Sequence, residues 1–159
     1  MAAHDGLAIH EFIHRYWFHY DEGLVLAEMI CEECEMRSRT ERGDHPYEEF
    51  IASHSQGRDA AMAWTAQHRR FSPYPLRHQA ANVFVSAERG DDVDVVSYLF
   101  VTQITDRTPS PLSTAIVTWT LRRGDDGAYR LLSHDVVLDS IESAAFESIP
   151  EVSGRIDRW

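Results

Sequence analysis

The chain has 159 residues, 43% of them hydrophobic, which is enough for one domain with a sizeable core and too short for two ordinary ones. Fifteen Lys and Arg against 26 Asp and Glu give a formal net charge of −11 and a pI near 5.1, so the averaged field repels phosphate backbones and anionic lipid, and nucleic acid is disfavoured as a partner. The longest apolar windows, such as AIVTWTL, are strand-sized and fall short of the roughly 20 residues of a membrane span. MAAHDG lacks a cationic region followed by an apolar export segment, so a cytoplasmic protein with no membrane partner is expected.

In chain order, Ile9, Phe12, Ile13, Tyr16, Trp17 and Tyr20 recur at steps of three and four and predict an opening helix with one broad apolar stripe. Asp21-Glu22-Gly23 interrupts it, with Gly23 free to turn. LVLAEMI predicts a second short helix, and CEMRSRT a short strand leading into the polar ERGDHP. Residues 46–56 read as irregular chain or a helical turn. RDAAMAWTAQHRR, residues 58–70, predicts a helix bounded by Gly57 and SPYP. The period then changes, and runs 76–88, 94–105, 113–123 and 129–138 predict strands separated by RGDD, DRTPSPLS and RGDDG. The DDG turn favours a close final hairpin, and long consecutive strands favour a meander. With no internal repeat or linker, the expectation is one α+β domain over residues 1–159, its N-terminal helices covering one face of a strongly curved antiparallel sheet.

Several chemistry-bearing patterns are weak. Cys31 and Cys34 form a C-x-x-C pair, but Glu28, Glu32, Glu33 and Glu35 surround them and should raise the thiol pKa values, so they read as core or helix-end cysteines. His10 and His14 are spaced i, i+4 without the glutamate arrangement of a zinc helix, and no metal site is predicted. Glycine-rich phosphate and dinucleotide motifs do not occur, and no cofactor is expected. More informative is YPLRHQAANVFV, residues 74–85, where a strand opens on Arg77 and His78 in place of apolar core residues.

The order of elements, carried by FIHRYWFHYDEG, LRHQAANVFV, STAIVTWTLRR and YRLLSHDVVLDS, resembles the SnoaL-like branch of the nuclear-transport-factor-2-like (NTF2-like) superfamily. That branch includes scytalone dehydratase and the small subunits of aromatic-ring dioxygenases. The resemblance implies a cone in which the curved sheet is plugged by helices, and it implies function less sharply, since the architecture hosts enzymes and non-catalytic subunits alike. In scytalone dehydratase a Tyr-Asp pair closes the first helix and a catalytic His opens the strand after the third helix. Tyr20-Asp21 and His78 match those places. A helix end and a strand start meeting at the mouth of a cone would let Asp21 hold the imidazole tautomer, His78 move a proton, and Tyr20 polarise a carbonyl or position a water. Where that enzyme has a second His this chain has Gln103, which hydrogen-bonds but does not titrate, and where it has an Asn this chain has Ile116.

Other pocket residues follow from parity. Asn82 should share the face of His78 if no bulge intervenes, with Arg77 on the other face. Tyr16, Trp17, Phe84 and Trp119 can wall a flat apolar substrate or serve as plain core. Only one of His134 and Asp135 should point inward, and His134 would then supply a second titratable group. The resulting expectation is a cofactor-independent lyase, cyclase or isomerase with dehydratase-like acid–base chemistry on a small, apolar, aromatic or polyketide-like carbonyl compound. The alternatives are a non-catalytic small subunit of a dioxygenase-like complex and a ligand-binding domain. A homodimer or homotrimer joined through the outer face of the long strands is expected.

Overall fold

Asp5 opens the first helix, α1 (Gly6–Asp21), by accepting hydrogen bonds at one carboxylate oxygen from the backbone N–H groups of Leu7 and Ala8 at 2.9 and 3.3 Å. The computed structural model describes residues 4–43 and 48–145. The predicted stripe of α1, Ile9 to Tyr20, is buried throughout, and so is Asp21 at the last helical position. Gly23, at φ +69°, reverses the chain there and its N–H returns to the Tyr20 carbonyl at 3.1 Å, so the helix stops with Asp21 facing inward.

LVLAEMI is not a helix. Only a single 3₁₀ turn, Ala27–Met29, forms before strand β1 (Ile30–Thr40), which starts four residues ahead of CEMRSRT. Seven residues leave too few hydrogen bonds to offset helix nucleation, and the extended route lets the chain enter the sheet. Cys31 and Cys34 are therefore strand residues. A register irregularity lies between Ile30 and Glu35; both cysteines are buried, Cys34 within the core cluster and Cys31 outside it, near Arg122, Arg130 and Asp92. Burial is the main cause of their raised pKa values, with Glu33 adding to it, and Cys34 is pushed up to about 12.

Of the segment 46–56, residues 46–47 lie outside the described residues; the rest forms a helical turn, α2 (Glu48–Ile51), and a short strand, β2 (Ser53–Gln56). Then come α3 (Arg58–Phe71), β3 (Leu76–Arg89), β4 (Asp92–Thr105), β5 (Thr108–Arg123) and β6 (Tyr129–Leu138). The sheet order is β2-β1-β6-β5-β4-β3. Strands β3 to β6 are the predicted antiparallel meander, whereas β1 joins β6 in parallel, a long-range pairing that local pattern does not disclose. DRTPSPLS is not a loop. Asp106 and Arg107, both at positive φ, make a two-residue turn, and β5 starts at Thr108. Pro109 and Pro111 are tolerated because that end of β5 pairs only with β4; pairing to β6 begins at Ala115.

The core lies between α1 and the concave face of the curved sheet, with Tyr16, Ile9 and Ile13 against Val93, Val95, Val117 and Trp119. The buried Trp119 indole N–H donates to the Ser97 hydroxyl at 3.1 Å, which satisfies the one polar atom of that side chain. Among the described residues, no helix is long and apolar enough to cross a membrane.

Candidate active site

The end of α1 and the start of β3 are clamped together from several directions. The Asp21 carbonyl accepts from Arg69 Nε on α3 at 2.7 Å, and Arg69 Nη1 donates to the Pro73 carbonyl at 2.9 Å. Glu22 takes the Tyr74 hydroxyl and the Arg77 guanidinium, each at 3.2 Å. Arg77 thus lies on the opposite side of β3 from His78, as parity requires, and serves the joint.

That joint delivers both oxygens of the buried Asp21 carboxylate to one residue. His78 Nδ1–H donates to Oδ1 at 2.5 Å, and the His78 backbone N–H donates to Oδ2 at 2.8 Å. With Nδ1 committed to a carboxylate, the proton sits on that nitrogen and Nε2 is turned to the cavity that His78 lines. The ring is held flat against Trp17, with centroids 4.7 Å apart and planes at 7°, and Tyr20 meets it edge-on at 5.0 Å. The imidazole therefore has one orientation and one tautomer.

The cavity holds about 400 Å³, the size of a small organic molecule. Leu76, Leu99, Val101, Ala115, Val136 and Leu138 form much of its wall, and among the described residues no Lys, Arg, Asp or Glu lines it. Little of its surface is polar, and the polar side chains come from several elements, Ser38, His68, Ser72 and Ser113 among them. Tyr16, Trp17, Tyr20, Gln103 and His134 line it as well. Burial, reinforced by Asp21 and opposed by Arg69, raises the Tyr20 phenol well above its ordinary range, so it stays protonated. Of the pair in β6, His134 points inward and Asp135 outward, where it meets Arg39 at 3.3 Å. Burial, with a smaller effect from His78, drives His134 down to about 3, so it is neutral near pH 7 and holds no proton to give as a cation.

Three of the predicted wall residues do not line the cavity. Asn82 adopts φ +52° at a register shift between Ala81 and Phe84, and this bulge turns Val83 toward the core and leaves Asn82 and Phe84 exposed outside the cavity. Trp119 sits behind the wall, in contact with Tyr16, Trp17 and His134. Ile116 faces away, since the neighbouring Ala115 is the residue of β5 that lines the cavity. Conversely, His68, Trp64 and Phe50 line it and were not singled out. The signal for His68 was available: it continues the inward face of α3 defined by Ala61 and Thr65 at helical spacing.

His10 and His14 are exposed on α1, their rings 6.3 Å apart, and among the described residues no group of three or more His, Cys, Asp or Glu side chains is arranged to hold a metal ion.

A curved open sheet of six strands plugged by helices, with a largely apolar cavity between them, defines an α+β protein of the NTF2-like, cystatin-like class. The chain belongs to the SnoaL-like family: residues 1–133 match the family's SnoaL-like domain. Among solved structures it is similar to an NTF2-like protein with a cystatin-like fold from Novosphingobium aromaticivorans, at 23% identity over 91% of this chain and 87% of that one, with a TM-score of 0.66. A chain of the same organism assigned as the beta subunit of an aromatic-ring-hydroxylating dioxygenase matches at 16% identity, 88% and 92% coverage and a TM-score of 0.66. One assigned as a scytalone dehydratase, also from that organism, matches at 19% identity, 87% and 89% coverage and a TM-score of 0.62. No protein of curated function matches the sequence. At these identities the likeness is one of fold.

Proposed function

We propose that the protein is an acid–base enzyme acting on a small, neutral, largely apolar carbonyl compound, in the manner of a dehydratase, cyclase or isomerase. The observation that carries this reading is the Asp21–His78 pair, which aims a tautomer-fixed Nε2 into an apolar cavity. His78 Nε2 takes the α-proton, and the electron pair left on carbon passes into the C–C bond toward a carbonyl oxygen that accepts a hydrogen bond from Tyr20. In a dehydration the enolate then re-forms the carbonyl and expels a β-hydroxyl, which leaves as water with the proton returned from His78. In an isomerisation the same proton returns to another carbon. A cavity wall without charged side chains among the described residues suits a neutral substrate and disfavours carboxylates and phosphates, whose desolvation it would not offset. All proton transfers use side chains already in place, so turnover is expected to survive exhaustive chelation. Loss of activity restored by one metal would overturn that part of the reading.

The test does not require the natural substrate. Enolisable aryl ketones, with and without a β-hydroxyl, are incubated with the protein in D₂O and followed by mass spectrometry for deuterium at the α-carbon and for loss of water. Enzyme-dependent exchange abolished by His78→Ala supports the proposal. Exchange that is undiminished in that variant overturns it.

A second reading, a non-catalytic subunit of a larger complex, would seat its partner on the convex face, where Tyr98, Phe100 and Ile104 of β4 are 54%, 39% and 46% exposed. We assign that apolar strip to self-association. Light scattering is expected to give a mass that is a multiple of 18.2 kDa, reduced to the monomer by Phe100→Glu. Assembly only with a larger iron protein would favour the subunit reading instead.

A further inference from the structure

Resting on the carbonyl reading of the cavity, we infer that His68 is a positioning residue: its Nδ1–H donates to the Tyr20 oxygen and so leaves the Tyr20 hydroxyl proton free to donate to a ligand's carbonyl oxygen. Tyr20 Oη and His68 Nδ1 are hydrogen-bonded across the gap between α1 and α3, and either atom can in principle be the donor. The other end of the ring decides it. His68 Nε2 is buried and has no hydrogen-bond partner. The ring is sandwiched between Trp64, with centroids 4.8 Å apart and planes at 16°, and Phe50, at 4.6 Å and 30°, so its faces are closed off by carbon and its orientation is fixed.

A neutral imidazole carries one N–H. If that proton were on Nε2 it would be a buried donor with no acceptor, while Tyr20 would spend its own proton on Nδ1 and present only an acceptor oxygen to the cavity. With the proton on Nδ1, the donor meets an acceptor, and the unpartnered atom is a lone pair, the less costly of the two defects. The phenol is then the last donor in a short relay from α3 through α1 into the cavity. Burial, assisted by His78 and Arg69, lowers His68 to about 4, which agrees with a neutral ring. The ligand this arrangement selects presents a hydrogen-bond-accepting oxygen at Tyr20 and an acidic C–H at His78, as an enolisable ketone or aldehyde does. A ligand hydroxyl that must donate would find its acceptor at His78 Nε2 and not at Tyr20.

The experiment uses the full chain labelled with ¹⁵N-histidine and ¹³C-tyrosine, with no ligand added. Long-range ¹H–¹⁵N correlation spectra at neutral pH read the tautomer of each ring, and His68 is assigned by its disappearance in His68→Asn or, if that variant does not fold, by sequential assignment of the wild type. The expected result is a protonated Nδ1 and a bare Nε2. A protonated Nε2, alone or together with Nδ1, overturns the inference. His68→Asn, which keeps an N–H near the position of Nδ1, is expected to leave the Tyr20 Cζ resonance near its wild-type shift, and His68→Leu to move it. Equal displacement in both variants would also overturn the inference. Because the protein is read without turnover, failure here leaves the role of His78 standing, and failure of the exchange assay leaves the tautomer result intact.

Discussion

His78 and His134 both line the same cavity, one at the start of β3 and one deep in β6, and chemistry separates them through what stands behind each ring. Behind His78 is a carboxylate that takes Nδ1–H and leaves Nε2 toward the cavity. Around His134 are Tyr16, Trp17 and Trp119, at 5.7, 5.4 and 4.5 Å between centroids, and its Nε2 has no partner. On the proposed reading the same side chain is an oriented base in one region and a neutral filler in the other. A carboxylate behind the ring is what separates a site from a core position.

The sharpest way to break this contrast is at His78. His78→Ala is expected to lower α-proton exchange or turnover by about 10²–10⁴-fold, the usual cost of removing a positioned acid–base group, with the fold retained. Trp119→Ala, in the deep region, should act on stability: losing a fully buried indole and its bond to Ser97 is expected to cost about 3–5 kcal/mol in denaturant unfolding. A stability loss at His78 as large as that at Trp119, with exchange unchanged, would erase the distinction. Asp21→Asn should be milder than His78→Ala, about 10–100-fold in rate, because the ring remains and only its orientation and tautomer lose their hold. An Asp21→Asn variant as inactive as His78→Ala would mean that the carboxylate takes part in proton transfer.

Legibility in the sequence followed the range of the determining interactions. The stripe of α1, the run of α3 and the four long strands are set by local periodicity and were readable as such. Asp21 and His78 were readable because a helix end and a strand start are both marked by punctuation, Gly23 on one side and the prolines of SPYP on the other. Asn82 and Phe84 were misplaced because a bulge at a non-glycine residue leaves no mark in the composition, yet it inverts the parity of the residues after it until a second register shift between Val85 and Ala87 restores it. The turn at Asp106-Arg107 was hidden in the same way, since two-residue hairpins usually announce themselves with glycine or asparagine. The parallel pairing of β1 with β6 depends on contacts between residues about a hundred positions apart, and no window of sequence contains both partners. His68 was legible from the helical spacing of Ala61, Thr65 and His68, but its partner Tyr20 lies on another helix.

The smallest expected effect is a slope, and it tests the neutral state of the deep imidazole. His134 titrates at about 3 in the folded protein, against its ordinary value of about 6.5 when unfolded. Between those values the unfolded chain binds a proton that the folded chain does not, so unfolding free energy rises with pH across that window. The favourable contribution is complete above about pH 6.5 and is lost progressively on acidification. For one group the slope approaches about 1.4 kcal/mol per pH unit. His68, lowered to about 4, adds in the same direction down to its own value. Urea unfolding of the wild type between pH 6.5 and 4.5, above the range in which most carboxylates titrate, should therefore show stability falling with pH. His134→Phe, which fills the aromatic nest without a titrating nitrogen, should flatten that slope by up to the one-group amount whatever its effect on absolute stability. An unchanged slope in His134→Phe would mean that His134 takes up its proton without unfolding, and the deep region would then hold a protonated imidazole where the contrast with His78 requires a neutral one.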